Sequence, residues 1–447
     1  MPELLEIAQR IAAQARPGEQ IEAYVSWHRE TEVRAFEGAV ESLSSAEAAG
    51  VGIRVISGQR QGFAYVGDLD ESHAREALAE ARDNARFSSI DEHAGVAAPD
   101  GVAPETIELW NEALLDYPNE KKIACALELE RLVRSGDPRI RQVVSTDYGD
   151  ACGESAIANS LGIATTSRET TCYVSADVVA GEGDDTQTGG GYSVGRGPDE
   201  IIVERAAKDA IERATRLLGA TKPPSAKLAV IFDPRVTATL ISIIAGTLSG
   251  EEVARGRSLF ADRIGEEVAA SMLTLVDDPT DIRAFGASAI DDEGLACRRN
   301  VLIEDGQLAK YLYDTYSART ANTVSTGSAV RGGFKSMPGV GARALCLVPG
   351  ELDQPGMIAS IENGLLVQGI SGVHSGVNRV SGDFSVGAEG VMIRGGRLAE
   401  PVREITIAST IQKMLQNVLA VGNDLEWLPS SAAGVSLAIG EISMSGA

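Results

Sequence analysis

The chain has 447 residues, 44% of them hydrophobic and 23% charged, with 64 acidic side chains against 40 basic ones and a formal net charge of -24. That length exceeds one ordinary core and predicts roughly two to four compact units, in the compositional range of folded rather than disordered proteins. A field of that sign repels phosphate backbones and anionic lipid, which argues against nucleic acid and membrane surfaces as partners.

The chain opens, from Met1 to Arg16, with Leu4, Leu5, Ile7, Ile11 and Ala12 interleaved with Glu3, Glu6, Gln9 and Arg10. This is the pattern of an amphipathic helix, not of a basic-then-apolar signal peptide. No stretch reaches the run of about 18 apolar residues that a membrane-spanning helix needs. Cys125, Cys152, Cys172, Cys297 and Cys346 stand singly with no CxxC pair, which predicts free thiols in a reducing, cytoplasmic compartment. After the first helix, Ile21–Trp27, Thr31–Phe36, Val40–Leu43, Val51–Ile56 and Gly62–Val66 read as a meander of short strands. Asp70 or Ser72 caps a helix whose apolar face holds Ala77, Leu78, Ala81 and Ala85.

Residues 95 to 105, with Pro99 and Pro104 among Gly and Ala, read as a linker and a possible sub-boundary. Next come a helix over Asn119–Arg134 and strands at Gln142–Thr146, Glu154–Asn159 and Glu169–Val179. The Gly-rich, acidic segment Gly181–Pro198 reads as a mobile loop or lid, because Asp184 and Asp185 would repel a phosphate. A helix then runs from Pro198 to about Leu218. Pro223-Pro224 marks the main boundary and divides the chain into 1–222 and 223–447.

The second half begins with a strand, Lys227–Phe232, and a helix, Asp233–Leu248, that is apolar on all sides and so expected to be buried. Beyond it the pattern is mainly β. Val301–Ala309 echoes Val391–Ala399, each around a two-residue turn (Asp305-Gly306, Gly395-Gly396) that needs positive φ, which suggests a duplicated sheet element. A last helix is expected over Ala408–Ala420. The fold class is therefore α+β: an N-terminal α/β domain with an antiparallel sheet and flanking helices, then a mainly β C-terminal domain around a buried helix.

Metal chemistry has little to build on. The histidines are His28, His73, His93 and His374, and no HExxH or Cys/His pair is present. Asp277-Asp278 and Asp291-Asp292-Glu293 are carboxylate clusters, but the calcium-loop spacing is absent and solvated turns explain them as well. Gly327–Ser336 lacks the phosphate-loop register. Nucleophiles are harder to set aside. Cys297 precedes Arg298 and Arg299, cations that would lower a thiol pKa. His374 lies in a Gly-rich loop with Ser375 and Asn378, where a base near neutral pH could act, although a lone loop histidine is more often a structural hydrogen-bonder.

Taken in order, Asp291–Gly294 with Val301–Gly306, Tyr316–Arg319, Ser325–Gly327, Val380–Ser385, Pro401-Val402 with Glu404–Ile407, and Val421–Asp424 carry a resemblance to the TldD/PmbA family. It spans nearly all of the second half, and the first half matches in layout. The resemblance implies a peptidase that pairs a zinc-bearing TldD-type subunit with a metal-free TldE/PmbA-type one and degrades or trims unfolded and small peptides. Zinc-bearing members carry His-Glu-x-x-x-His on the first helix of this half, completed by a Cys near the C-terminus. Matched on Leu248-Ser249-Gly250, that stretch here is Ile241-Ser242-Ile243-Ile244-Ala245-Gly246, and the C-terminal position falls at about Ala433-Gly434. Neither supplies a ligand, so the chain resembles the metal-free subunit, with zinc expected in a TldD-type partner and no cofactor of its own.

The resemblance further implies a heterodimer with that partner, or a homodimer, whose chamber holds an extended peptide against a strand edge; His374, Ser375, Asn378, Ser381 and Asp383 of the polar loop are the candidate substrate-binding residues. Two other readings stay open. One is a homodimeric, metal-independent amide hydrolase using Cys297 or Ser375 with His374. The other is a non-catalytic modulator, since the resemblance also carries a link to DNA gyrase control, for which the net charge disfavours direct DNA contact.

Overall fold

The computed structural model describes residues 2–183 and 185–446; Asp184, invoked above as a phosphate-repelling residue, lies outside them. Six antiparallel strands build the N-terminal sheet: β1 (Glu19–Phe36), β2 (Ala39–Ser57), β3 (Arg60–Val66), β4 (Ile140–Asn159), β5 (Ala164–Glu182) and β6 (Asp185–Gly195), in the order β3-β2-β1-β4-β5-β6. The short strands expected from the sequence fuse. Ile21–Trp27 and Thr31–Phe36 belong to one strand of 18 residues, because β1 is paired along its length by β2 on one side and β4 on the other.

Four helices cover one face of this sheet. The stripe Leu4, Ile7, Ala8 and Ile11 of α1 (Pro2–Ala12) and Ala74, Ala77, Leu78 and Ala81 of α2 (Glu71–Phe87) pack on Ile21, Ala23, Val25 and Ile53. Asp70 caps α2 by accepting from the backbone N–H groups of Ser72 and His73. Further along, α3 (Asn119–Gly136) and α4 (Val203–Arg216) bury Leu129, Val133, Ala206, Ala210 and Ala214 against Val33, Val174, Ala176 and Val178. Each large aliphatic side chain buried this way contributes about 1.5–3 kcal/mol.

The Gly-rich segment is not a lid. It forms the end of β5 and the edge strand β6, and its glycines serve packing: a Cβ on Gly189 or Gly191 would stand 2.4 and 2.0 Å from the carbonyl oxygens of Ala210 and Ala206. Only a bare backbone lets the alanine face of α4 approach so closely.

In the second half, β7 (Ala226–Phe232) pairs in parallel with strand Asn363–Ser371 and antiparallel with Leu437–Ser445. Strands Asp383–Arg394 and Arg397–Thr410 continue the sheet, and the last of these also pairs with Leu437–Ser445, which closes a five-stranded barrel. The two hairpins seen as a repeat both form, with positive φ at Asp305, Gly306, Gly395 and Gly396, but they sit in different sheets. The helix expected over Ala408–Ala420 shrinks to Ile411–Gln416, because residues up to Thr410 and from Val418 onward are drawn into strands.

Helix α5 (Pro234–Thr247) starts at the N-cap Asp233 and packs Leu240, Ile241 and Ile244 into the main core with Leu437 and Ile439. It is not buried all round. Ser242 is exposed, and Arg235, Thr239 and Gly246 are partly so, which leaves a narrow polar stripe at helical spacing on one side. No helix among the described residues is long and apolar enough to cross a membrane.

Candidate functional site

The second face of the N-terminal sheet carries no helix among the described residues, and the C-terminal half reaches it at several places, two of which frame the site. At one end, Arg331 donates to Glu22 at 2.9 Å and stacks on the Tyr24 ring. The Phe334 backbone crosses Gly52 there so closely that a Cβ would lie 2.3 Å from its carbonyl oxygen. Arg54 completes this junction by donating to Glu22 at 2.8 Å and to Glu293 at 3.2 Å, and all four charged side chains are buried. Burial opposes ionisation of Glu22, but the two guanidiniums outweigh it and hold its carboxyl below the usual range. Glu293 is pushed up, by burial first and by the neighbouring carboxylates, although Arg54 acts in the opposite sense.

At the other contact, Arg235 of α5 stacks 4.3 Å from the Tyr192 ring centroid and donates to the carbonyl of Gly190 on β6. Between the two contacts the sheet face is open. A cleft of about 470 Å³ lies beside Phe334, lined among others by Trp27, His28, Glu169 and Lys335.

The polar stripe of α5 leads from the Arg235 contact to Gly246, about 16 Å along the helix axis. There it meets the loop singled out from the sequence: the Arg379 guanidinium stands 3.3 Å from where a Gly246 Cβ would be. His374, on the short helix Val373–Gly376, is exposed and forms no hydrogen bond or ion pair among the described residues. Ser375 donates to the Gly372 carbonyl, and the Asn378 side chain accepts from the backbone N–H groups of Val380 and Ser381. Ser381 donates to Asp383 at 2.6 Å. Most of the polar side chains in this loop therefore hold its own turns, while His374 and Arg379 project. Arg379 was missed in the sequence, where nothing distinguishes it from other exposed arginines.

Cys297 is elsewhere. Its thiol is buried, and burial pushes its pKa well up; Arg343 lowers it, and Asp291, Asp277 and Asp292 raise it further. The expected help from its sequence neighbours is not given, since Arg298 pairs with Asp100 at 2.6 Å and Arg299 lies 3.8 Å from Asp278. No hydrogen bond joins Cys297 to His374 or Ser375 among the described residues.

The residues at the positions where the resemblance would place zinc ligands do not fit the ion. Ile241 is buried in the core, the Ser242 hydroxyl donates to the Ala238 carbonyl at 2.8 Å, and Gly246 faces a guanidinium rather than an empty coordination site. The C-terminal position is filled tightly too, since a Cβ on Gly434 would lie 2.3 Å from the Pro234 carbonyl oxygen. No group of three or more His, Cys, Asp or Glu side chains placed to hold a metal exists among the described residues. The carboxylate clusters serve the fold instead. Asp277 accepts from the backbone of Arg343 and Ala344, and Asp291 from Glu293, Leu295 and Ala329.

Known proteins match along most of the chain. Residues 21–85, 112–218 and 225–446 match domain 1, the central domain and the C-terminal domain described for the PmbA/TldA metallopeptidases. The chain is 29% identical over 416 residues to a metalloprotease PmbA homolog of Haemophilus influenzae, covering 91% of this chain and 88% of that one. It is also 29% identical over 392 residues to the metalloprotease PmbA of Escherichia coli O157:H7, covering 87% and 84%. Among solved structures, TldE from Thermococcus kodakarensis superposes with a TM-score of 0.86 at 23% identity over 100% of both chains. A proposed modulator of DNA gyrase from Bacteroides thetaiotaomicron superposes with a TM-score of 0.88 at 26% identity, over 100% of this chain and 99% of the other. The protein is a member of the PmbA/TldD metallopeptidase family.

Proposed function

We propose that this chain is the zinc-free, TldE-type subunit of a peptide hydrolase, and that it completes a substrate chamber whose zinc sits in a TldD-type partner. The observation that carries this reading is the solvent stripe of α5. Where zinc ligands would have to project, it presents Ser242 tied back to its own helix and Gly246 beneath the Arg379 guanidinium. A guanidinium at that point opposes a divalent ion by direct repulsion. The same stripe is suited to binding, because it runs from the Tyr192 contact, at the margin of the open sheet face, to the loop of His374 and Arg379, a path that an extended peptide can take. Peptide is held there by polar loop side chains and backbone, and the partner's zinc supplies the activated water when bound. The complex works in the cytoplasm, a reading supported by five free cysteines.

The metal-independent amidase reading is weakened on two counts. A thiol that burial keeps protonated is a poor nucleophile, and the Ser375 hydroxyl donates to a carbonyl and is hydrogen-bonded to no base among the described residues. Co-purification separates the readings. The chain and a TldD-type chain should elute together as a dimer-sized complex that cleaves unfolded peptides and stops when chelated. Peptidase activity of this chain alone that survives chelation would reject the proposal.

A further inference from the structure

Strand register lays side chains across the open face of the N-terminal sheet in rows. Over β1, β4 and β5 these read His28–Gly153–Glu169, Glu30–Ala151–Thr171, Glu32–Gly149–Tyr173 and Arg34–Asp147–Ser175, with Ala48, Ala46, Ser44 and Ser42 flanking them on β2. Two properties stand out. The floor is low around Ala151 and Gly153, where glycine, alanine and serine occupy much of β2 and β4, while one row further on the Tyr173 ring lies over Gly149 and its hydroxyl bonds to Glu32. Within these rows the charge is also mostly acidic, although Lys335 lines the cleft at the His28 end. Asp147 is neutralised by Arg34 at 2.7 Å, and Glu169 lies 3.4 Å from Arg196. Glu30, Glu32 and, two residues beyond Ser175, Asp177 have no ion-pair partner among the described residues. Arg34, already paired, is the one cation these rows contribute.

We infer that this face is a selectivity surface for cationic stretches of extended peptide, with Glu30, Glu32 and Asp177 as the groups that receive lysine or arginine side chains. The inference rests on the peptide-binding reading above and deepens it. Glu30 and Glu32 project from the same side of one strand about 7 Å apart, which is also the spacing of alternate side chains in an extended peptide. A peptide lying along β1 can therefore set two basic residues against them while its backbone rests over Ala151 and Gly153. A second copy of this chain is a poor occupant, because a molecule of net charge -24 is repelled by an acidic face. Nucleic acid is opposed for the same reason.

The test uses the full-length chain and two labelled, unstructured peptides of equal length, one of Lys, Gly and Ser and one of Glu, Gly and Ser, tracked by fluorescence anisotropy. At low salt the lysine peptide should bind roughly tenfold or more tighter, and the difference should shrink at ionic strengths that shorten screening to a few ångströms. The triple variant Glu30→Gln, Glu32→Gln, Asp177→Asn should lose most of that preference, with an unchanged melting transition and unchanged mass by light scattering. Equal binding of the two peptides, or a preference that persists in the variant, overturns the inference. So does a change in mass, which would mark the face as an interface between copies. Complex formation by the wild-type chain with a TldD-type chain is scored separately. If no complex forms but the lysine preference is present, the subunit assignment fails and the selectivity surface stands; the reverse result removes the surface alone.

Discussion

Arg54 on β2 donates to Glu293 at 3.2 Å across 239 residues of sequence, and both side chains are buried. With Glu22 and Arg331 they form a four-charge cluster at the seam between the N-terminal sheet and the C-terminal half. Such a cluster adds little net stability when intact, but removing Arg54 leaves Glu293 buried without its ion-pair partner and Glu22 with Arg331 alone. Arg54→Ala should therefore cost about 3–5 kcal/mol of unfolding free energy, measured by denaturant titration. A loss below about 1 kcal/mol would show that water reaches the cluster and that the seam is held elsewhere.

The Gly-rich stretch offers a second test. Gly191→Ala should lower stability by about 1–3 kcal/mol, because its Cβ would stand 2.0 Å from the Ala206 carbonyl oxygen and force α4 off the sheet. The neighbouring Gly190→Ala should cost less than about 1 kcal/mol, since its Cβ meets the Asp177 carboxylate at 2.9 Å and that side chain can swing away. Thermal melts of the two variants side by side decide whether β6 is a packed strand or a loose loop.

Asp277 gives a pH signature. Its Oδ1 accepts two backbone N–H bonds, its Oδ2 has no partner among the described residues, and burial pushes its pKa up to about 6 from an ordinary 3.8. A folded-state pKa above the unfolded one means that the fold binds the proton more tightly. This contribution is fully present below about pH 4 and is lost as pH rises through about 6, a change of at most about 3 kcal/mol. Asp277→Asn keeps the Oδ1 acceptor and removes the titration. Its stability relative to wild type should rise between pH 4 and 7.5 in chemical denaturation, and a constant difference across that range would contradict the assignment.

The projecting histidine separates holding from catalysis. In the complex with a TldD-type chain, His374→Ala should raise KM while kcat falls less than about tenfold, the result expected of a group that contacts peptide and takes no part in proton transfer. A general base would cost roughly a hundredfold or more in kcat. Cys297→Ser, at a buried thiol, should leave kcat within about twofold and show its effect in stability instead.

Much of this architecture could be read from residue patterns, and the failures have physical causes. In β1, polar Glu30, Glu32 and Arg34 alternate with Thr31, Val33 and Ala35, so a half-open strand was legible, yet its fusion with Ile21–Trp27 was not. His28, Arg29 and Glu30 interrupt the hydrophobic run, and only pairing with β2 and β4 holds them extended. Gly189 and Gly191 read as loop because their role lies in a contact with α4 that no local window contains. The helix expected over Ala408–Ala420 failed for a similar reason, as barrel closure between Thr406–Ala408 and Ser443–Ser445 outweighs helix propensity. At the candidate site, the loop from His374 to Asp383 was visible as Gly-rich and polar. The Arg379–Gly246 approach joins residues 133 positions apart in the numbering, and no spacing rule reaches it.

The central claim is that this chain lacks zinc chemistry of its own, and the most direct measurement pairs elemental analysis with a peptidase assay on three samples. These are the chain alone, a TldD-type chain alone, and their mixture after size exclusion. The first should hold no stoichiometric zinc and show no peptidase activity, and the co-eluting mixture should show zinc-dependent activity at full strength. About one zinc per chain in the first sample after mild chelation, or hydrolysis there that resists chelator, would contradict the claim.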